Sequence, residues 1–177
     1  MRRMWGLLAV FLLAASAPAA ADVTIDDTNF PDKAFRNYVK DNCDSDDNGI
    51  LSGAEIAKVK YADVSDKSIQ SLKGIEHFTA LLRLECYRNQ LTSLDVSRNT
   101  KLKSLDCANN QLTSLDVSNN TNLGILYCYH NRLTELDVSK NKALWVLSCS
   151  HNQLTSLDVS KNTNLGTLKF VDRKSVV

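Results

Sequence analysis

Between residues 84 and 170 the apolar positions fall on a lattice that repeats every 21 residues without slipping. One column holds Leu84, Leu105, Leu126, Leu147 and Leu168. Two places on runs a second, Cys86, Cys107, Cys128 and Cys149, closed by Phe170. Inward residues that alternate, as Leu105 and Cys107 do, mark a short strand, and stacked strands of this kind form a parallel sheet. The polar positions are as regular. Asn89, Asn110, Asn131 and Asn152 follow the cysteines by three places; Asn99, Asn120, Asn141 and Asn162 follow Val96, Val117, Val138 and Val159 by three. The first asparagine column is placed to sit inside a turn, pairing backbone groups whose unpaired burial costs roughly 1–3 kcal/mol each. The second half of each unit, as in Leu112 to Asn120, alternates again and is too short for a helix plus its turns. The return side is therefore expected to be extended or 3₁₀.

A period of this length with leucine and asparagine so spaced is the mark of a leucine-rich-repeat solenoid. The pattern emerges gradually. Val64 and Ile69 stand 22 residues before Cys86 and Leu91, so the first coil is one residue longer than the rest. Leu72, Ile75, Phe78 and Leu81 form a degenerate back half, with Phe78 where later copies have their second asparagine. End coils have a neighbour on one side only and cover their core differently.

Upstream the periodicity changes. Val23 and Ile25 are strand-like, and Pro31 is placed to open a helix whose inner face carries Phe35, Tyr38 and Val39. Residues 44–55 then match the twelve-residue calcium loop of the EF-hand. Oxygen ligands are wanted at positions 1, 3 and 5, a backbone carbonyl at 7, a contact at 9 and a bidentate glutamate at 12. Asp44, Asp46, Asn48, Ile50, Ser52 and Glu55 fill these places, and Gly49 stands where the sharp turn requires glycine. An all-oxygen donor set suits calcium and offers no soft ligand for zinc or copper. A second helix follows, with Ile56 and Val59 facing inward. No second loop is found to make the usual EF-hand pair, so a weak, structure-holding site is expected. The alternative is an acidic turn without a metal.

At the start, Arg2 and Arg3 precede an apolar run from Met4 to about Ala15 and small residues through Ala21. That is the pattern of a cleaved secretory signal. Ala19-Ala20-Ala21 is the favoured cut, with Ala17-Pro18-Ala19 the alternative. The run is short of the ~20 residues that span a bilayer, so no integral span is expected in the mature chain, which is placed outside the cell or on its surface. The expected organisation is a signal peptide over 1–21, a cap over 22–62, repeats over 63–170 and an off-pattern tail over 171–177 that reads as truncation or artefact. The fold class is an α/β solenoid: a right-handed leucine-rich-repeat coil with a parallel concave sheet and an extended or 3₁₀ return side, behind a small helical EF-hand-like cap. The formal net charge of +1 gives no electrostatic reason for a nucleic-acid partner. The oligomeric state is left open.

The 21-residue repeat with cysteine in the strand and LTxLDVSxN behind it resembles the bacterial internalins that carry a cysteine ladder, over roughly Ile69 to Phe170. Ser71 to Leu84 is similar to the first repeat of internalins more widely. The resemblance implies a bacterial exported protein whose repeats bind other proteins or surface glycans. The cysteines themselves favour a buried stack of free thiols, with disulfides or zinc as the alternatives.

Residues flanking the inward ones face the concave side and vary from coil to coil. There Tyr87, Ile125, Tyr127, Tyr129, His130, Trp145, Val146 and His151 gather as candidate partner-binding residues. Scattered exposed apolar residues are the bland alternative. Catalysis is not expected, because no nucleophile or paired carboxylate shares a column with the histidines. The main reading is a binding module; the competing one is a spacer within a larger surface protein.

Overall fold

The computed structural model describes residues 21–170; the expected leader and the tail over 171–177 lie outside them, apart from Ala21. The chain runs β1 (Val23–Thr24), α1 (Lys33–Cys43), β2 (Ile50–Leu51), α2 (Gly53–Lys58) and β3 (Tyr61–Asp63), then a 3₁₀ turn (Ile75–His77). Strands β4 (Arg83–Glu85), β5 (Ser104–Asp106), β6 (Ile125–Tyr127), β7 (Val146–Ser148) and β8 (Thr167–Lys169) follow. β3 to β8 form one parallel sheet in sequence order. The register pairs Leu84 with Leu105, Leu105 with Leu126, Leu126 with Leu147 and Leu147 with Leu168. The expected solenoid is the observed one.

β3 pairs Tyr61 with Arg83, so the sheet begins two residues before the boundary drawn at 62/63. Cap and repeats share a single buried core. Phe30 and Phe35 meet edge to face with centroids 5.8 Å apart, and Phe78 packs on Phe30 at 6.5 Å. Phe78 thus fills the asparagine place with a ring that seals the first coil against the cap. Gly74 makes this contact feasible: its φ is +107°, and a Cβ there would come within 2.3 Å of the Phe30 ring.

Pro31 does not open α1. Asp32 is the N-cap, its Oδ1 accepting from the amides of Ala34 and Phe35 at 2.9 and 3.1 Å. A carboxylate satisfies the orphan amides of a first turn, which a proline cannot do. Its second oxygen accepts from Gln70 N and Ser71 N in the first coil. One side chain therefore both starts the helix and ties it to the solenoid.

Each coil strand has three residues in regular pairing, but the ladder continues through the cysteines: Cys107 N donates to Tyr127 O and Cys128 N to Ser148 O. The next turn has left-handed backbone at Arg88, Asn109, His130 and His151, with φ of 52°, 55°, 53° and 56°. This reversal swings the following asparagine inward. Asn110 Nδ2 donates to Cys86 O and Cys107 O, while its Oδ1 accepts from Leu91 N. Asn131 repeats the set one coil on. The second column also bridges coils: Asn120 Nδ2 donates to Val96 O and Asn99 O, and Asn141 Nδ2 to Val117 O and Asn120 O. In this column the amide oxygens of Asn99, Asn120, Asn141 and Asn162 are buried without a hydrogen-bond partner.

The return side is extended between tight turns, for example Asn99 N to Val96 O and Leu102 N to Asn99 O. Among the described residues, 3₁₀ structure is confined to Ile75–His77. The aspartates of this side cap turns: Asp116 Oδ1 accepts from Ser118 N, and Asp95, Asp137 and Asp158 do the same for Ser97, Ser139 and Ser160. Bonds from the same serines, led by the Ser97 hydroxyl at Asp95 and by the serine amides at the other three, hold these carboxyls below the usual range. Cys43, Cys86, Cys107 and Cys128 are free thiols, and Cys149 continues the buried column of Cys86, Cys107 and Cys128. Burial pushes the Cys86, Cys107 and Cys128 thiols well up, so they act as small hydrophobes rather than nucleophiles.

Candidate functional site

Two places carry the chemistry that the sequence singles out: the acidic loop of the cap and the concave face of the sheet. In the loop, one carboxylate oxygen each from Asp44, Asp46 and Glu55 lie within 4.8 Å of one another. Asp44 and Glu55 are buried, Asp46 exposed. The backbone shapes this cluster. Asp44 Oδ1 and Oδ2 accept from Asn48 N and Gly49 N at 3.2 and 2.8 Å, and Asn48 Oδ1 accepts from Ile50 N at 2.7 Å. Gly49 has φ +79° with open space around its Cβ position, so the conformation, not crowding, calls for glycine. Ile50 turns its side chain to solvent.

Glu55 locks the two ends of the loop. Its Oε1 accepts from Ser45 N and Oγ at 2.6 and 2.7 Å, and its Oε2 from Ser52 N and Oγ, both at 2.9 Å. Ser52 returns the favour as N-cap of α2, completing a capping box. The Ser45 hydroxyl, then the Ser52 and Ser45 amides, pull the Glu55 carboxyl down to about 2. A carboxyl lowered on folding stabilises fully above its unfolded value of about 4.3 and ceases to do so as pH falls through the folded value. Without added metal, amide protection at Ser45 and Ser52 should hold down to roughly pH 4.3 and then decline toward pH 2. Protection that stays flat across this window removes Glu55 from that role.

β2 has a strand partner of its own. Leu51 and Ile50 pair antiparallel with Val23 and Thr24, and Ile25 N donates to Gly49 O at 2.9 Å. The N-terminal strand thus braces one side of the acidic loop.

On the concave face the expected columns stand side by side: Ile125 beside Val146, and Tyr127 beside Ser148. Tyr87, Ile125, Tyr127 and Tyr129 are half-buried, and His130, His151 and Trp145 are exposed. Val146 departs from expectation. It stands in the outward column yet is only 8 % exposed, because strands ~4.8 Å apart let longer neighbours shade a short side chain. It offers little surface to a partner. Trp145, 52 % exposed, precedes β7 and lies over the backbone of the previous coil. A Cβ on Gly124 would stand 3.0 Å from its indole Nε1, so Gly124 makes room for the ring. His130 and His151 are brought together as stacked rings.

The sequence reading missed Tyr61. This half-exposed ring donates from its hydroxyl to Glu85 Oε2 at 2.7 Å, while Arg83 pairs with the other oxygen of Glu85 and places its guanidinium 5.5 Å from the ring centre. The bond to Glu85 pushes the Tyr61 hydroxyl up to about 12. Counting back the longer first coil from Arg83 lands on Tyr61, so the signal was present in the register.

Comparison with known proteins agrees with this geometry. A family model described as leucine-rich repeats (2 copies) matches residues 100–141. Internalin J of Listeria monocytogenes serotype 4b (strain F2365) is 41% identical over 71 residues, which is 40% of this chain and 8% of that protein. The solved functional domain of InlJ from Listeria monocytogenes, which includes a cysteine ladder, superposes with a TM-score of 0.81 at 38% identity, over 88% of this chain and 34% of that one. Internalin InlF of the same species superposes at 0.74 with 24% identity, over 89% of this chain and 47% of that one. Internalin C2 superposes at 0.62 with 22% identity, over 89% and 81%. The last two show the fold alone. The chain spans about a third of the solved domain it matches at 38% identity. Among the described residues no helix is long and apolar enough to cross a membrane.

Proposed function

We propose that this internalin-like leucine-rich-repeat chain is an exported binding module that takes a protein or surface glycan on its concave face, with a calcium ion holding its cap. The observation that carries the first part is the contrast between columns. Positions that build the core repeat coil after coil, whereas the outward ones vary and gather aromatics on the middle coils. A passive spacer has no need of that contrast. Half-buried tyrosines amid polar groups are the composition of recognition surfaces.

Replacing Tyr127 and Tyr129 together with alanine should weaken capture of a surface ligand by at least about ten-fold while leaving thermal unfolding nearly unchanged, since truncated hot-spot aromatics cost 2 kcal/mol or more. The measurement is surface plasmon resonance against a partner first isolated by pull-down with the mature chain. Affinity equal to that of the parent chain sends the binding site elsewhere.

Calcium is supported by the all-oxygen loop. Asp44, Asp46 and Glu55 would supply carboxylates, Asn48 and the Ile50 carbonyl neutral oxygens, and Ser52 a contact through water. The ion's double charge, set among buried carboxylates, would relieve their mutual repulsion and fix the junction of α1 and α2.

A further inference from the structure

The turns that carry His130 and His151 place like side chains one coil apart at the rim of the concave face. The backbone ladder runs through them, with His130 N donating to Ser150 O at 3.0 Å. Their imidazole rings are parallel to within 2°, with centroids 4.1 Å apart, and both are exposed. Tyr129 meets His130 edge to face at 5.7 Å. Left-handed backbone does not explain the pair: Arg88 and Asn109 adopt the same φ in the same column. Histidine here is a choice of side chain, not of turn.

We propose that His130 and His151 form a two-imidazole site for a divalent transition-metal cation of the zinc or nickel type. Imidazole nitrogen suits these ions and is a poor ligand for calcium or magnesium, so the site is chemically distinct from the acidic loop. Zinc bonds nitrogen at about 2.0–2.1 Å in a tetrahedral shell, which sets two ligating nitrogens about 3.3 Å apart. The exposed rings, with centroids 4.1 Å apart, would leave the parallel stack and turn about their side-chain torsions so that two in-plane lone pairs converge on one ion. Water completes the shell. The two residues occupy equivalent left-handed turns one coil apart, so the second nitrogen binds at high effective concentration once the first is engaged. The thiols of the cysteine column do not compete, being fully enclosed by the core.

The test is isothermal titration of zinc into the mature chain with millimolar calcium present throughout, joined to nitrogen NMR of the imidazoles. The expected result is one zinc per chain, with His130 and His151 resonances moving together and His77 unmoved. His130→Ala and His151→Ala should each weaken binding by about ten-fold or more, because either change removes the chelate. The double variant, left with neither imidazole, should bind at least as weakly as the weaker of the two singles. Exposed positions make these variants safe for folding, which circular dichroism confirms. Zinc bound equally well by the single variants, a shift confined to one ring, or no uptake at millimolar zinc overturns the proposal.

Discussion

Asn110→Ala should lower unfolding stability by about 3–5 kcal/mol, a large part of the ~5–15 kcal/mol of a typical domain. The side chain donates to Cys86 O at 2.9 Å and Cys107 O at 3.1 Å and accepts from Leu91 N at 3.0 Å. Alanine strands the buried Leu91 amide and takes one of two bonds from each carbonyl, since Cys86 O keeps Asn89 Nδ2 at 3.1 Å and Cys107 O keeps Asn131 Nδ2 at 3.0 Å. Asn120→Ala should be milder, about 1–3 kcal/mol. It too loses two donors, to Val96 O and Asn99 O at 3.0 Å each, but it also removes its own buried, partnerless oxygen. Relief of that penalty offsets part of the loss. Urea unfolding followed through Trp145 emission measures both. An Asn120 variant as destabilised as the Asn110 one contradicts the account of the second column.

Calcium affinity should depend on two elements far apart in sequence. Titration of the mature chain should give a dissociation constant of about 10⁻⁴–10⁻³ M, the class of extracellular modules. Glu55→Gln should weaken it by about ten-fold or more, since it removes the bidentate carboxylate. Starting the chain at Asp26 should also weaken it, although no residue of 22–25 supplies a loop oxygen in the proposed set. That trim deletes β1, the partner of Ile50 and Leu51, together with Ile25, whose amide holds Gly49 O. It also removes Asp22, whose Oδ1 accepts from Gly53 N at 3.3 Å. The free loop would then have to be ordered by the ion alone. Absence of calcium heat at several millimolar sinks the cap assignment; full affinity without β1 sinks only the role of the strand.

Most of the scaffold was legible because repetition states it several times over. Leu105, Cys107 and Asn110 each have counterparts in neighbouring coils, so inward and outward positions could be separated by column alone. What escaped was what occurs once, or what the residue types at a repeated position do not mark. The helix start was read from Pro31, a residue with a strong local preference, while the tertiary tie to Gln70 and Ser71 favoured Asp32. The left-handed turn was invisible because arginine, asparagine and histidine occupy it rather than glycine. A place in an outward column is not exposure: Val146 stands in one and is shaded all the same. Tyr61 was overlooked because the longer first coil displaces it by one residue from the common period. The clustering of Asp44, Asp46 and Glu55 was legible from spacing, but the loop's partners Ser45 and Val23–Thr24 were not, since those contacts depend on how the cap closes.

The direction in which the asparagine amides point has a further consequence. Every amide of the second column reaches back toward the cap, from Asn162 to Asn141, Asn141 to Asn120, and Asn120 to Asn99. The first column does the same, from Asn152 to Cys128 and from Asn131 to Cys107. A single unit thus carries donors for its predecessor and acceptors for its successor. Tandem duplication of a unit in register recreates the same bonds at both new junctions, so the gene for such an array can lengthen by whole units with no compensating change. Insertion of a partial unit leaves donors and acceptors out of step at once. The uniform period between residues 84 and 170 obeys that rule.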